Sequence, residues 1–230
     1  LYSTLALLPP FMQNLMGYPV VDIGFVLAPR GLGTMVVMYV VGRLSGKVDT
    51  RYMLLVGLLA SSLAMWEMTQ FTSEVSGWDV MRTGIIQGVG LGFLFVPLST
   101  IAFSTLAPHY RNEGAALFSL LRNIGGSIGI SAMIAYLLHN TQANHAAFAD
   151  FITPFNLALN HAAESGVLDP NTPRGLAMIN LEVTRQAATL AYLQVFRFIM
   201  WVTLAAVPLV FLFRPAAKQP PPAELRAALD

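Results

Sequence analysis

Six stretches of this chain are apolar for about as many residues as a bilayer crossing requires, and that limits the fold more than any motif. A helix rises 1.5 Å per residue, so about 20 residues span a hydrocarbon core roughly 30 Å thick. The runs expected to span are a partial one at 1–16, then 20–41, 52–71, 80–106, 113–138 and 193–213. Pro9-Pro10 is expected to interrupt the first, whereas Pro29, Pro97 and Pro208 are tolerable where neighbouring helices satisfy the freed carbonyls. Charge is too scarce for any other reading. Only 11% of the 230 residues are charged and 55% are hydrophobic, where soluble domains carry about a quarter charged residues. Lipid must therefore cover part of the surface, and the expected fold class is an all-α polytopic membrane bundle.

The remaining composition excludes several functions. A formal charge of +1 with no clustered basic face argues against a nucleic-acid partner. The absence of cysteine removes disulfides, thiol nucleophiles and thiolate metal sites. No cofactor is expected. The chain opens on Leu1, with neither a basic n-region nor a cleavage site, so the start does not read as a signal peptide. It reads as the C-terminal piece of something longer.

Basic residues in short loops set the expected orientation. Arg43, Lys47 and Arg51 follow the second run, Arg111 the fourth, and Arg214, Lys218 and Arg226 the last. The loop TSEVSGWD holds Glu74 and Asp79 with no Lys or Arg. Alternation then places the C-terminus in the cytoplasm. Residues 1–138 carry five spanning helices, the first partial, and 139–192 form a periplasmic loop. Two helical stretches, NHAAFADFITPF and AMINLEVTRQAATLAYLQ, flank the breaker-rich SGVLDPNTPRG, and the second runs into the last spanner at 193–213. The proline-rich tail, 214–230, is expected to be a flexible cytoplasmic segment.

Polar residues inside these runs are the candidates for function. Arg30 lies mid-span in FVLAPRGLGTM, between Pro29 and Gly31, where the helix is expected to break or kink. Too deep to reach headgroups easily, it should face a wet cavity or a carboxylate. Glu67 is the counter-ion candidate by type, and a place at the interface beside Trp66 fits it equally. Asp22 reads as solvated. Arg122, with Asn123 beside it, sits in FSLLRNIGGSIGISAMIAYLL at an insertion cost of about 2.5–3.5 kcal/mol at a helix centre. Two placements fit Arg122: buried against partner helices, or snorkelling to the cytoplasmic headgroups. Gly125, Gly126 and Gly129 share its face and would let a helix approach closely. Gly84, Gly88 and Gly92 form a second such stripe beside Gln87, a candidate path residue.

Two motif matches fail on chemistry. GGSIG satisfies the G-x-S-x-G pattern, but that elbow needs a strand, a turn and a helix, whereas Ser127 lies within a spanning run. His139, His145 and His161 lack the i, i+4 spacing that would place two metal ligands on one helix face, and read as a hydrated loop. No metal site is expected.

Three phrases together resemble a known family: RTGIIQGVGLGFLFVPL, GAALFSLLRNIGGSIG and GYPVVDIGFVLAPRGLGTMVVMYVVGRL. They are similar to the C-terminal half of a major facilitator superfamily drug–proton antiporter of the fourteen-spanner EmrB/QacA type, and ITPFN resembles the EmrB branch. The resemblance covers essentially the whole chain. It implies a carrier that alternates access between two half-bundles and exports lipophilic small molecules against proton entry. It also implies as partners the N-terminal half and, in the EmrB branch, a periplasmic membrane-fusion adaptor and an outer-membrane channel. GRLSGKVDTR resembles a degenerate copy of the family's gating loop, matching at Gly42, Leu44, Lys47 and Arg51, with Arg43 and Asp49 inside it. Gly46 stands where the family has aspartate, which puts that loop's charge relay in doubt. On this resemblance Arg30 and Arg122 would be polar groups of one wall of the path, tuning a carboxylate elsewhere. The competing readings are a non-transporting interaction module and, more remotely, a membrane-embedded hydrolase using Ser127.

Overall fold

A computed structural model describes residues 2–72, 75–103, 106–152 and 172–212. The phrase ITPFN beyond Ile152, most of the breaker-rich stretch, Glu74, His161, Arg214, Lys218, Arg226 and the tail at 214–230 lie outside the described residues. Within them the chain is helical, with one isolated bridge between Ser45 and Val48.

Helix α1, Tyr2–Asn14, passes through Pro9 and Pro10 without interruption, contrary to the sequence expectation. Each proline removes an intrahelical donor, which costs about 3 kcal/mol in a free helix. The fully buried Leu8, Phe11 and Met12 supply the packing that holds the turn. The helix ends where Gly17 turns left-handed at φ 72° and the Tyr18 N–H reaches back to the Met12 carbonyl at 3.1 Å. That bond satisfies a terminal carbonyl, and glycine adopts the required φ without penalty.

Helix α2, Val20–Leu44, is likewise unbroken across Pro29, Arg30 and Gly31. The expected break is absent. The Asp49 carboxylate accepts the Arg51 N–H at 3.0 Å and caps α3, Thr50–Met68. Helix α4, Gly77–Phe103, contains Pro97, and a 3-10 turn at Pro108–Tyr110 leads into α5, Arg111–Ala149. Helix α5 continues past the apolar run through His139 and His145. The Thr172 hydroxyl accepts the Gly175 N–H at 3.1 Å and starts α6, Pro173–Ala205, with proline at its first position. A short helix, α7, Val207–Val210, follows.

Among the described residues four helical segments are long and apolar enough to cross a membrane: α2, α4, α5, and α6 continued through α7. The spanning reading of α1 and α3 rests on the alternation of the chain. Ring contacts join α1 to α6, where Phe11 lies 5.2 Å from Tyr192 and 6.2 Å from Phe196. Phe71, just past α3, stacks on the same ring at 6.4 Å. Helix α4 runs between α2 and α3, and α5 packs along α6. The outer surface is apolar over long stretches, with Phe25 70% and Met35 71% exposed on α2. Patches of that extent require acyl chains or further helices to cover them.

Candidate functional site

Glycine decides how closely α4 approaches its neighbours. A Cβ on Gly88 would overlap the Arg30 carbonyl oxygen and lie 3.0 Å from Thr34 Oγ1. One on Gly92 would meet Val37 at 2.7 Å, and one on Gly84 would sit 3.6 Å from Arg30 Cβ. The stripe legible in the sequence therefore faces α2 and draws the backbone carrying Arg30 against α4. The opposite face of α4 escaped sequence reasoning. There Gly90 lies against Ser61 and the Gly57 carbonyl of α3, and Gly57 lies against Leu94. The signal was present, since Gly57 and Ser61 stand one turn apart, but glycine content alone does not say which face meets which helix.

Arg30 is 6% exposed, and its Nη2 is buried with no hydrogen-bond partner among the described residues. It lines a cleft of about 510 Å³ together with Thr4 and Leu8 of α1, Thr34 and Met35 of α2, and Leu91 of α4. Its expected counter-ion lies elsewhere: Glu67 accepts a hydrogen bond and ion pair from Arg82 at 3.1 Å, tying α3 to α4. The interfacial alternative for Glu67 fits this pairing, since Arg82 stands one turn into α4 and Trp66 is exposed. Gln87 is fully buried, with its amide nitrogen and oxygen both unpaired, as are the hydroxyls of Ser61 and Ser62 on α3. Buried polar atoms are nearly always paired, so this unpaired set stands out inside an apolar bundle.

Arg122 sits in a second cleft, about 340 Å³, between α4 and α5, with Phe95, Phe103, Phe118, Ser119 and Met38 in its walls. Its guanidinium carbon lies 5.5 Å from the Phe95 ring centre and 5.9 Å from that of Phe118. Its Nε is buried and unpaired. The side chain is half-buried against these two rings, a contact compatible with either placement open in the sequence. Met38 lines both clefts, so they adjoin along α2. Asn123 is exposed and lines neither. A Cβ on Gly126 would sit 3.3 Å from the Tyr2 ring of α1 and one on Gly129 3.7 Å from Ser3 Oγ, whereas a Cβ on Gly125 would meet open space.

The gating-loop residues gather at the end of the bundle opposite Glu67 and Arg82. Gly46 adopts φ 87°, a left-handed turn that an aspartate would enter only with strain. Arg43 stacks over Tyr39 at 4.5 Å. Gly42 and Lys47 are exposed, Asp49 is used as the cap of α3, and Arg51 holds a buried unpaired Nε. Ser127 is exposed in mid-helix, with none of the strand–turn–helix geometry an elbow needs. Among the described residues no group of three His, Asp or Glu side chains could hold a metal. His145 instead meets Asn180 at 3.0 Å across α5 and α6.

Sequence reasoning missed the polar ties at the Glu67–Arg82 end of the bundle. Arg185 donates from Nε and Nη2 to the Leu15 carbonyl at 3.3 and 3.0 Å, holding the end of α1 against α6. Asn144 donates to the Ala187 carbonyl at 3.3 Å and to Gln194 at 3.2 Å, joining α5 to α6.

An all-helical bundle with an apolar exterior, glycine-set helix contacts and unpaired cations in clefts on its α1–α2–α4–α5 side belongs to the class of polytopic membrane proteins. The sequence profile of the Major Facilitator Superfamily matches residues 1–130, and the chain belongs to that family. It is 27% identical to the fatty acid resistance protein FarB of Neisseria gonorrhoeae, across 93% of this chain and 42% of that protein. It is 24% identical to the probable multidrug resistance protein EmrY of Escherichia coli, over the same shares. Against the multidrug export protein EmrB of Haemophilus influenzae the identity is 26%, covering 67% of this chain and 30% of that protein. The chain thus spans less than half the length of these relatives.

Proposed function

We propose that this chain is the C-terminal half-bundle of a secondary carrier that exports lipophilic compounds in exchange for protons by alternating access. The observation that carries the reading is Arg30: a buried cation with an unpaired Nη2, in the wall of a cleft where α1, α2 and α4 meet. An uncompensated cation at that depth is costly unless it faces water, a ligand or a carboxylate. Carriers of this kind bind their cargo between two halves near the midplane. The clefts of Arg30 and Arg122 adjoin, and on this reading they form one wall of that path. Relatives named for multidrug export and for fatty acid resistance support a lipophilic cargo.

The same reading places the carrier in a bacterial inner membrane with its C-terminus cytoplasmic. The loop holding Arg43, Lys47 and Arg51 is then inside, and the end holding Glu67, Arg82 and Arg185 is outside. A second half-bundle covers the cleft side, and the partners are a periplasmic adaptor and an outer-membrane channel. The gating role proposed for Gly42, Arg43, Lys47 and Arg51 is positional, because Asp49 is occupied as a helix cap.

The test is drug-driven proton flux in proteoliposomes holding the full-length protein. Arg30→Gln is expected to abolish the flux while the variant inserts at normal level. Unchanged flux removes Arg30 from the path.

A further inference from the structure

Both clefts are greasy, and each carries a cation that no carboxylate of the described residues neutralises. The ion pairs among those residues are Glu67–Arg82 and Arg185–Glu182, both away from the clefts. Arg122 is held between the faces of Phe95 and Phe118, and the rings offset part of its desolvation without supplying a counter-charge. A guanidinium keeps its proton in any protein environment, so the site remains positive. Its fork matches a planar carboxylate, and the unpaired Nε is one of the donors such a group accepts from. Beyond the charge the walls turn apolar: Phe103 and Met38 here, then Met35, Leu91 and Leu8 in the adjoining cleft.

We propose that the cleft around Arg122 is a headgroup subsite for monoanionic amphiphiles, a carboxylate on a long apolar tail. The tail runs past Met38 toward Leu91 and Leu8. The inference rests on the carrier reading and adds the sign of the cargo's charge and the group that reads it. Charge complementarity decides the occupant, because a cationic amphiphile of the same tail would bring like charge to a guanidinium that cannot discharge. Methionine side chains adapt to tails of differing shape.

The experiment compares laurate with dodecyltrimethylammonium, two probes of equal tail length and opposite head, on the full-length protein in nanodiscs. Laurate is expected to bind more tightly. Arg122→Gln should raise its Kd about tenfold or more, the loss expected for a charged hydrogen-bonded pair, and leave the cation's Kd unchanged or lower. Arg122→Lys keeps the charge and should recover part of the laurate affinity. Phe95→Leu removes one ring face, and should weaken laurate about threefold even if Arg122→Gln proves unstable. Equal binding of both probes, or Kd values that move together on Arg122→Gln, overturns the subsite. The same pattern would follow if an acidic side chain of the other half or a lipid phosphate already occupied Arg122. Proton-driven uptake in inside-out vesicles separates the two levels of the argument. Accumulation of the cation with no laurate uptake overturns the subsite alone, and accumulation of neither removes the carrier reading.

Discussion

A single methyl group on Gly88 would strike the Arg30 carbonyl, and neither backbone can yield without separating α4 from α2. Gly88→Ala should therefore lower the stability of the full-length protein in detergent by about 1–3 kcal/mol, read as a fall in its thermal midpoint. Gly125→Ala is the matched control, since open space surrounds that position. Helix propensity should make it neutral, or better by up to about 1 kcal/mol. Equal losses at both positions would show that α2 and α4 do not meet as described. The Glu67–Arg82 pair is more modest, with the arginine 56% exposed, so Glu67→Gln should cost under about 1 kcal/mol. Both glycine stripes were plain from their four-residue spacing. Spacing could not tell that one lies hard against backbone while Gly125 of the other meets nothing, because that depends on where α2 and α1 come to rest.

At the scale of elements, the end of the bundle that holds Glu67 and Arg82 is tied by side chains reaching carbonyls and amides of other helices. Arg185 donates twice to the Leu15 carbonyl just past the end of α1, one of the terminal carbonyls that the helix itself leaves without a donor. Arg185→Met keeps the aliphatic stem and removes both hydrogen bonds. Amide exchange should speed up over residues 15–18 with little change at Phe11, which the aromatic cluster holds. Asn144→Ala should likewise speed exchange in α5 beyond Leu137 and leave Arg111–Ala115 unaffected. Uniform change along α5 would mean that the helix is stabilised elsewhere. The expected breaks at Pro9-Pro10 and Pro29 failed for a common reason. Local rules count the lost hydrogen bond, while burial of Leu8, Phe11, Val26 and Arg30 against neighbouring helices decides whether the turn persists.

For the whole molecule, sidedness is the assertion most open to attack. The chain has no cysteine, so single introduced thiols report cleanly from it. Lys47→Cys should react with an impermeant maleimide only from the cytoplasmic face, and His139→Cys only from the other. Reversed labelling would invert the bundle and place the gating loop outside. The sequence by itself determined the helical class and pointed to the family, because charge scarcity and apolar length are sums that no neighbour can change. It also picked out Arg30, Arg122 and Gln87, since polar atoms in apolar runs are conspicuous without coordinates. Only the tertiary structure decided that Glu67 answers Arg82 rather than Arg30, that Arg122 rests on Phe95, and that two clefts adjoin at Met38. Those are meetings of residues on different helices, fixed by how far each backbone can approach the next, and nothing in the order of residues along one helix encodes that distance.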